Sequence, residues 1–119
     1  MGKDKFQSLT VYQLSLEYID HAYELIKLLP ADERFNLSSQ LVRATTSIAL
    51  NIAEGSTGQS NKEQARFLGL AISSFIETVA CLDLIERRGY ITSQDLLCAK
   101  TSGRTLFTKL TIFQKALRV

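Results

Sequence analysis

Residues 47–56 read "SIALNIAEGS". Ile48, Ala49, Leu50, Ile52 and Ala53 have the character of a buried helix, yet Ser47, Asn51 and Glu54 interrupt them at spacings of four and three. Side chains at those spacings share one helix face. Extended backwards, the polar line runs Gln40, Arg43, Ser47, Asn51, Glu54, beside an apolar line of Leu37, Leu41, Ala44, Ile48 and Ile52. The double pattern predicts a helix over about 37–55 with one apolar and one polar seam. Gly55 is expected to terminate it.

Three further helices follow from the same periodicity. Tyr12, Leu16, Ile19, Tyr23 and Ile26 are spaced 4, 3, 4, 3 and predict a helix over about 10–29, ended by Pro30. Ser60 and Glu63 form a capping box that opens a helix over about 61–88. That helix has two apolar faces: Phe67, Ala71, Phe75, Leu82 and Ile85 on one, and Leu68, Ile72, Ile76 and Val79 on the other. Arg87, Arg88 and Gly89 stop it, with the glycine as left-handed cap. Thr92 and Asp95 cap a last helix over about 93–117, whose seam is Leu96, Ala99, Gly103, Leu106, Leu110, Phe113, Leu117. No strand pattern competes. The expectation is all-α: one domain over 1–119, an antiparallel up-down-up-down four-helix bundle with short connections. The surplus apolar face of the third helix implies contact with another subunit.

Antiparallel neighbours pair residues of constant summed number. Opposing the polar line across a sum of 120 matches Glu54 with Arg66, Asn51 with Gly69, Ser47 with Ser73 and Arg43 with Glu77. The stripe then reads as a structural polar ladder between the second and third helices, with an ion pair at each end. Gly69 is expected to let the helices approach beside Asn51. Such a ladder fixes helix register where an apolar seam could slip.

Several chemistries lack their residues. Di-iron bundles need Glu-x-x-His pairs, and the chain has a single histidine, His21, expected at the solvated surface. Cys81 and Cys98 belong to no CxxC pair and are expected as reduced core residues. "EGSTG" at 54–58 lacks the lysine of a phosphate-binding loop. The expectation is no metal, no cofactor, no catalytic residue and no enzyme. The N-terminal ten residues carry no signal-peptide core, and no uninterrupted apolar run of about 18 residues occurs, so a cytoplasmic protein with no membrane span is expected.

Net charge is +2, unevenly spread. Residues 96–119 hold five bases and no acid; the remainder holds nine bases and twelve acids. On a helical wheel Lys100, Arg104, Lys115 and Arg118 fall within about one sixth of a turn, while Lys109 points elsewhere. This stripe is the candidate nucleic-acid-binding surface, acting through phosphates and hence salt-sensitive. No aromatic interleaving suited to base stacking is evident along it.

"LPADERFNLSSQLVRATTSIALNIAEGS" (29–56), "KEQARFLGLAISSFIE" (62–77) and "GYI" (89–91) together resemble the bacterial four-helix bundle protein family associated with intervening sequences of 23S ribosomal RNA genes. Gln40, Arg43, Ser47, Ile48, Asn51 to Gly55, Phe67, Leu68, Ala71, Ser74 and Glu77 carry the resemblance, which covers Leu9 to Phe113. It implies a non-enzymatic bundle that assembles as a homopentamer. The family is similar to the accessory protein of diversity-generating retroelements, a basic pentamer that binds nucleic acid and a reverse transcriptase. By that analogy RNA or DNA is one expected partner, and a protein for which this chain is scaffold or accessory subunit is the other. The family often places a base soon after its Glu-Gly; here Ser56, Thr57, Gly58 and Gln59 supply none.

Overall fold

Leu37–Gly55 is helical because its apolar residues recur on one face: Leu37, Leu41, Ala44, Ile48 and Ile52 are all buried. In the computed structural model of the chain, which describes residues 5–58 and 60–118, this is the second of four α-helices: α1 (Thr10–Ile26), α2 (Leu37–Gly55), α3 (Asn61–Arg87) and α4 (Leu97–Leu117). Short 3-10 turns occupy Lys5–Ser8 and Ala31–Glu33. At 1.5 Å per residue α3 is about 40 Å long, so it runs nearly the full 43 Å axis of the molecule. Each helix packs on its chain neighbour and α4 closes on α1; the diagonal backbones stay further apart, α1 and α3 meeting through the Tyr18 and Phe75 rings. This is the up-down-up-down arrangement, with α2 and α3 the most extensive pair.

The core has two lobes. One gathers Ala22, Leu25, Leu37, Leu41, Cys81, Leu82, Ile85, Ile91, Leu96 and Ala99. The other gathers Val11, Tyr18, Ile48, Ile52, Leu68, Ala71, Phe75, Leu106 and Leu110. Buried Ser15, Thr45 and Thr78 satisfy their hydroxyls on backbone carbonyls of their own helices (Tyr12, Leu41 and Ser74), so they need no cross-helix partner.

The expected seam of α1 is displaced by one residue. The buried line is Val11, Ser15, Tyr18, Ala22 and Leu25, with the same 4, 3, 4, 3 spacing, while Leu16 and Tyr23 are 37% and 48% exposed. Hydropathy favours the more apolar line, but α1 packs against both α2 and α4, and small Ser15 and Ala22 face that packing while the larger line lies on the flank. On α3 the first apolar face is buried save for part of Phe67, but Ile76 and Val79 of the second remain 58% and 40% exposed. Leu70 and Leu84 add to that surface. By length and composition α3 is also apolar enough to cross a membrane, contrary to the reading of uninterrupted runs. Glu77 and Asp83 break the run without lowering its average enough.

The helix ends follow local chemistry with two adjustments. Gly89 (φ +81°) sits where Gly89 N–H reaches Glu86 and Tyr90 N–H reaches Ile85, the paired bonds of a Schellman end. Gly55 is not a left-handed cap; the positive φ belongs to Gly58. Gly55 gives space instead: a Cβ there would lie 2.7 Å from Phe67 Cβ. Thr92 and Asp95 exchange side-chain-to-amide bonds of 3.1 and 2.9 Å, but that box closes a turn and α4 begins only at Leu97. At α3 the Ser60 hydroxyl accepts from Glu63 N–H, while the Glu63 carboxylate goes to Arg66.

Candidate nucleic-acid interface

The polar line of α2 does meet α3, one residue away from the expected register. Ser47 and Ser74 share a hydrogen bond of 2.8 Å between hydroxyls; Ser73 is exposed. Asn51 donates to the Ser47 carbonyl and hydroxyl at 2.9 and 3.1 Å. The charged rungs do not form as expected. Arg66 pairs with Glu63 at 3.1 Å, three residues back on its own helix, rather than with Glu54. Arg43 and Glu77 line one surface groove with Tyr23 and Leu50, and no salt bridge joins them among the described residues. Gly69 faces α4 instead of Asn51: a Cβ there would meet Gln114 Nε2 at 2.9 Å. The reason is geometric. A constant-sum rule assigns facing residues only to within a residue or so, and the close approaches found are Ser47 with Ser74 and Gly55 with Phe67.

Exposure separates the two cysteines. Cys81 is buried, and burial together with the Glu77 carboxylate raises its thiol pKa. Cys98 is exposed, contrary to expectation, because it lies off the α4 seam. His21 is half-buried in an α1/α4 groove of about 740 Å³ with Glu17, Asp20 and Cys98. No group of three or more His, Cys, Asp or Glu suited to a metal occurs among the described residues.

The four bases singled out on α4 are all exposed. Lys100 and Arg118 are eighteen residues apart, so the stripe is about 27 Å long. Lys100 and Arg104 border a groove between α3 and α4 that also contains Asp83, Val79 and Phe107. Arg118 lies at the other end, in a second groove with Lys62, Glu63, Arg66 and Gln114. Gln114 holds this end together by donating to the Ala65 carbonyl at 3.1 Å. Lys62 and Arg66 were missed because a wheel of α4 cannot see α3; antiparallel pairing of the last turn of α4 with the first of α3 was the available signal. Part of that charge is compensated, since the hydrogen-bonded Arg66 guanidinium holds the Glu63 carboxyl below its ordinary range. The loop after Gly55 contributes no base, and its Gln59 lies outside the described residues.

The fold and these surfaces define a small antiparallel four-helix bundle with a basic flank and a large exposed apolar area. Residues 7–115 match the model of the 23S rRNA-intervening sequence protein family, and the chain belongs to that family. It is similar to a solved protein of unknown function from the S23 ribosomal protein family of Bacteroides thetaiotaomicron. The two share 29% identity with a TM-score of 0.80, over 89% of this chain and 99% of that one. Comparison with curated proteins finds no match.

Proposed function

We propose that this protein is a non-enzymatic, cytoplasmic homo-oligomer that binds RNA or DNA through phosphate contacts along α4. The observation that carries the reading is the alignment of exposed Lys100, Arg104, Lys115 and Arg118 on one flank, extended by Lys62 and Arg66 of α3. Repeated around an oligomer, taken as a pentamer from the family resemblance, a modest field would gain strength by avidity. Contacts of this kind are independent of sequence.

The test is binding of labelled structured RNA and duplex DNA across a salt series. The expected result is a logarithmic affinity that falls linearly with the logarithm of salt, with a duplex slope of about −0.9 per phosphate engaged. Neutralising the four α4 bases to glutamine should weaken binding and flatten that slope. No binding at low salt would overturn the reading. The second reading, a scaffold or accessory subunit for another protein, is favoured by exposed Leu50, Ile76, Val79 and Leu84. It predicts no effect of the glutamine changes and capture of a defined protein partner.

A further inference from the structure

The groove between α3 and α4 holds more than the two bases that border it. Its volume is about 280 Å³, just under the roughly 300–1,000 Å³ of sites for drug-sized ligands. Buried Tyr18 and Gly103 make the floor, and partly exposed Phe107 and Val79 stand higher on opposite helices. Gly103 is what lets the α1 tyrosine reach this depth, since a Cβ there would lie 2.8 Å from the Tyr18 ring. Tyr18, Phe75 and Phe107 follow one another at centroid separations of 5.3 Å. Lys100, Arg104 and Phe107 are spaced four and three, on one face of α4.

Two features of the groove are open to an occupant. Tyr18 is 97% buried as a residue, but its hydroxyl takes no protein partner among the described residues and is not enclosed, so it opens onto the groove it lines. A hydroxyl placed there is free to donate to a ligand. Second, Asp83 shares the groove with Lys100 and Arg104 without forming a salt bridge to either among the described residues. A carboxylate there weakens a plain phosphate site and suits a ligand carrying N–H donors as well as negative charge.

We propose that this groove takes one unpaired base of a single-stranded nucleic acid. The proposal rests on the reading of α4 as a phosphate-contacting surface and deepens it. The base enters beside the Phe107 ring, whose face offers sequence-tolerant stacking. The Tyr18 hydroxyl donates to a ring acceptor, Asp83 accepts from an exocyclic amine, and Lys100 and Arg104 hold the adjoining phosphates. Phe107 thus lies on the α4 face of the stripe itself, and the packing of three helices brings Tyr18 and Asp83 beside it.

Fluorescence anisotropy on the full chain tests this with labelled twelve-nucleotide cytidine strands, ribo and deoxy. A strand of the same length with abasic sites and a duplex serve as comparisons. The expected result is that at least one cytidine strand binds about fivefold or more tighter than the abasic one. Phe107→Leu should abolish that difference, a loss of about fivefold to 150-fold on the scale of one base–aromatic stack, while leaving duplex binding and its salt slope unchanged. Tyr18→Phe should weaken the cytidine strand severalfold without lowering the melting temperature, because the hydroxyl has no partner to lose. Equal binding of cytidine and abasic strands, with duplex binding intact, overturns the groove and leaves the stripe standing. Absence of all binding at low salt overturns both. Dissociation of an oligomer by Phe107→Leu, seen by sedimentation, would assign the groove to a second copy of the chain and overturn the proposal.

Discussion

A pair of hydroxyls marks the register between the two most extensively packed helices. Ser47 and Ser74 meet across α2 and α3, and Asn51 braces Ser47 from one turn on. Ser47→Ala should cost about 1 kcal/mol, the net value of a typical hydrogen bond, with Asn51 retaining its bond to the Ser47 carbonyl. Ser73→Ala, on the exposed neighbour, should stay within about 0.5 kcal/mol. Urea unfolding distinguishes the two, and equal effects would refute the observed register. Glu33 and Tyr90 form a second latch, 57 residues apart, joining the α1–α2 and α3–α4 connections at 2.8 Å. The Tyr90 hydroxyl, with help from Asn36, holds the Glu33 carboxyl below its ordinary 4.5. The same bond to Glu33 raises the Tyr90 phenol above 10.0. A lowered acid stabilises the fold above its unfolded pKa and loses that contribution as pH falls through the folded value. A raised phenol stabilises below 10.0 and loses its contribution as pH climbs through the folded value. Thermal melts of wild type and Tyr90→Phe should therefore differ at neutral pH and converge both below pH 4.5 and above pH 10.0.

At the scale of elements, glycines in mid-helix mark where the bundle is tightest. Gly103 of α4 faces the rings of Tyr18 and Phe75, and a Cβ would lie 2.8 and 3.2 Å from them. Neither buried ring can move aside freely. Gly103→Ala should destabilise by about 1–3 kcal/mol from overpacking, outweighing the gain of up to about 1 kcal/mol from better helix propensity. Gly69→Ala should differ in sign or be near neutral, because only the flexible end of Gln114 is in the way. The cost there is the Gln114 bond to Ala65. Chemical denaturation of the two variants gives the comparison, and a Gly103→Ala protein as stable as wild type would contradict the packing described.

At the scale of the whole molecule, the bundle completes its own core and still leaves large side chains in solvent. Ile76 and Leu84 of α3 are 58% and 53% exposed, on a helix that contains a stretch apolar enough to cross a membrane by length and composition. An isolated domain rarely keeps so much apolar surface open without using it. Sedimentation velocity should show a species well above the 13.3 kDa of one chain. Ile76→Glu with Leu84→Glu should shift it towards monomer while circular dichroism stays helical. A wild-type monomer would remove the oligomer and the avidity argument together.

The number of helices, their approximate limits, the seams of α2 and α4 and the Gly89 end were legible in the sequence. Each depends on residues within a turn or two of one another, where periodicity and capping act directly. The basic face of α4 was legible for the same reason. The buried side of α1, the Ser47–Ser74 pairing, the use of Gly55 and Gly69 and the Lys62–Arg66–Arg118 end were decided by tertiary structure. Periodicity places residues on a common face but does not say which of two apolar faces turns inward. That choice depends on the volumes opposite, which put small Ser15 and Ala22 inside and left Leu16 and Tyr23 on the flank. The rotation of one helix against another is likewise set by where backbones can approach, and only the assembled bundle contains that information.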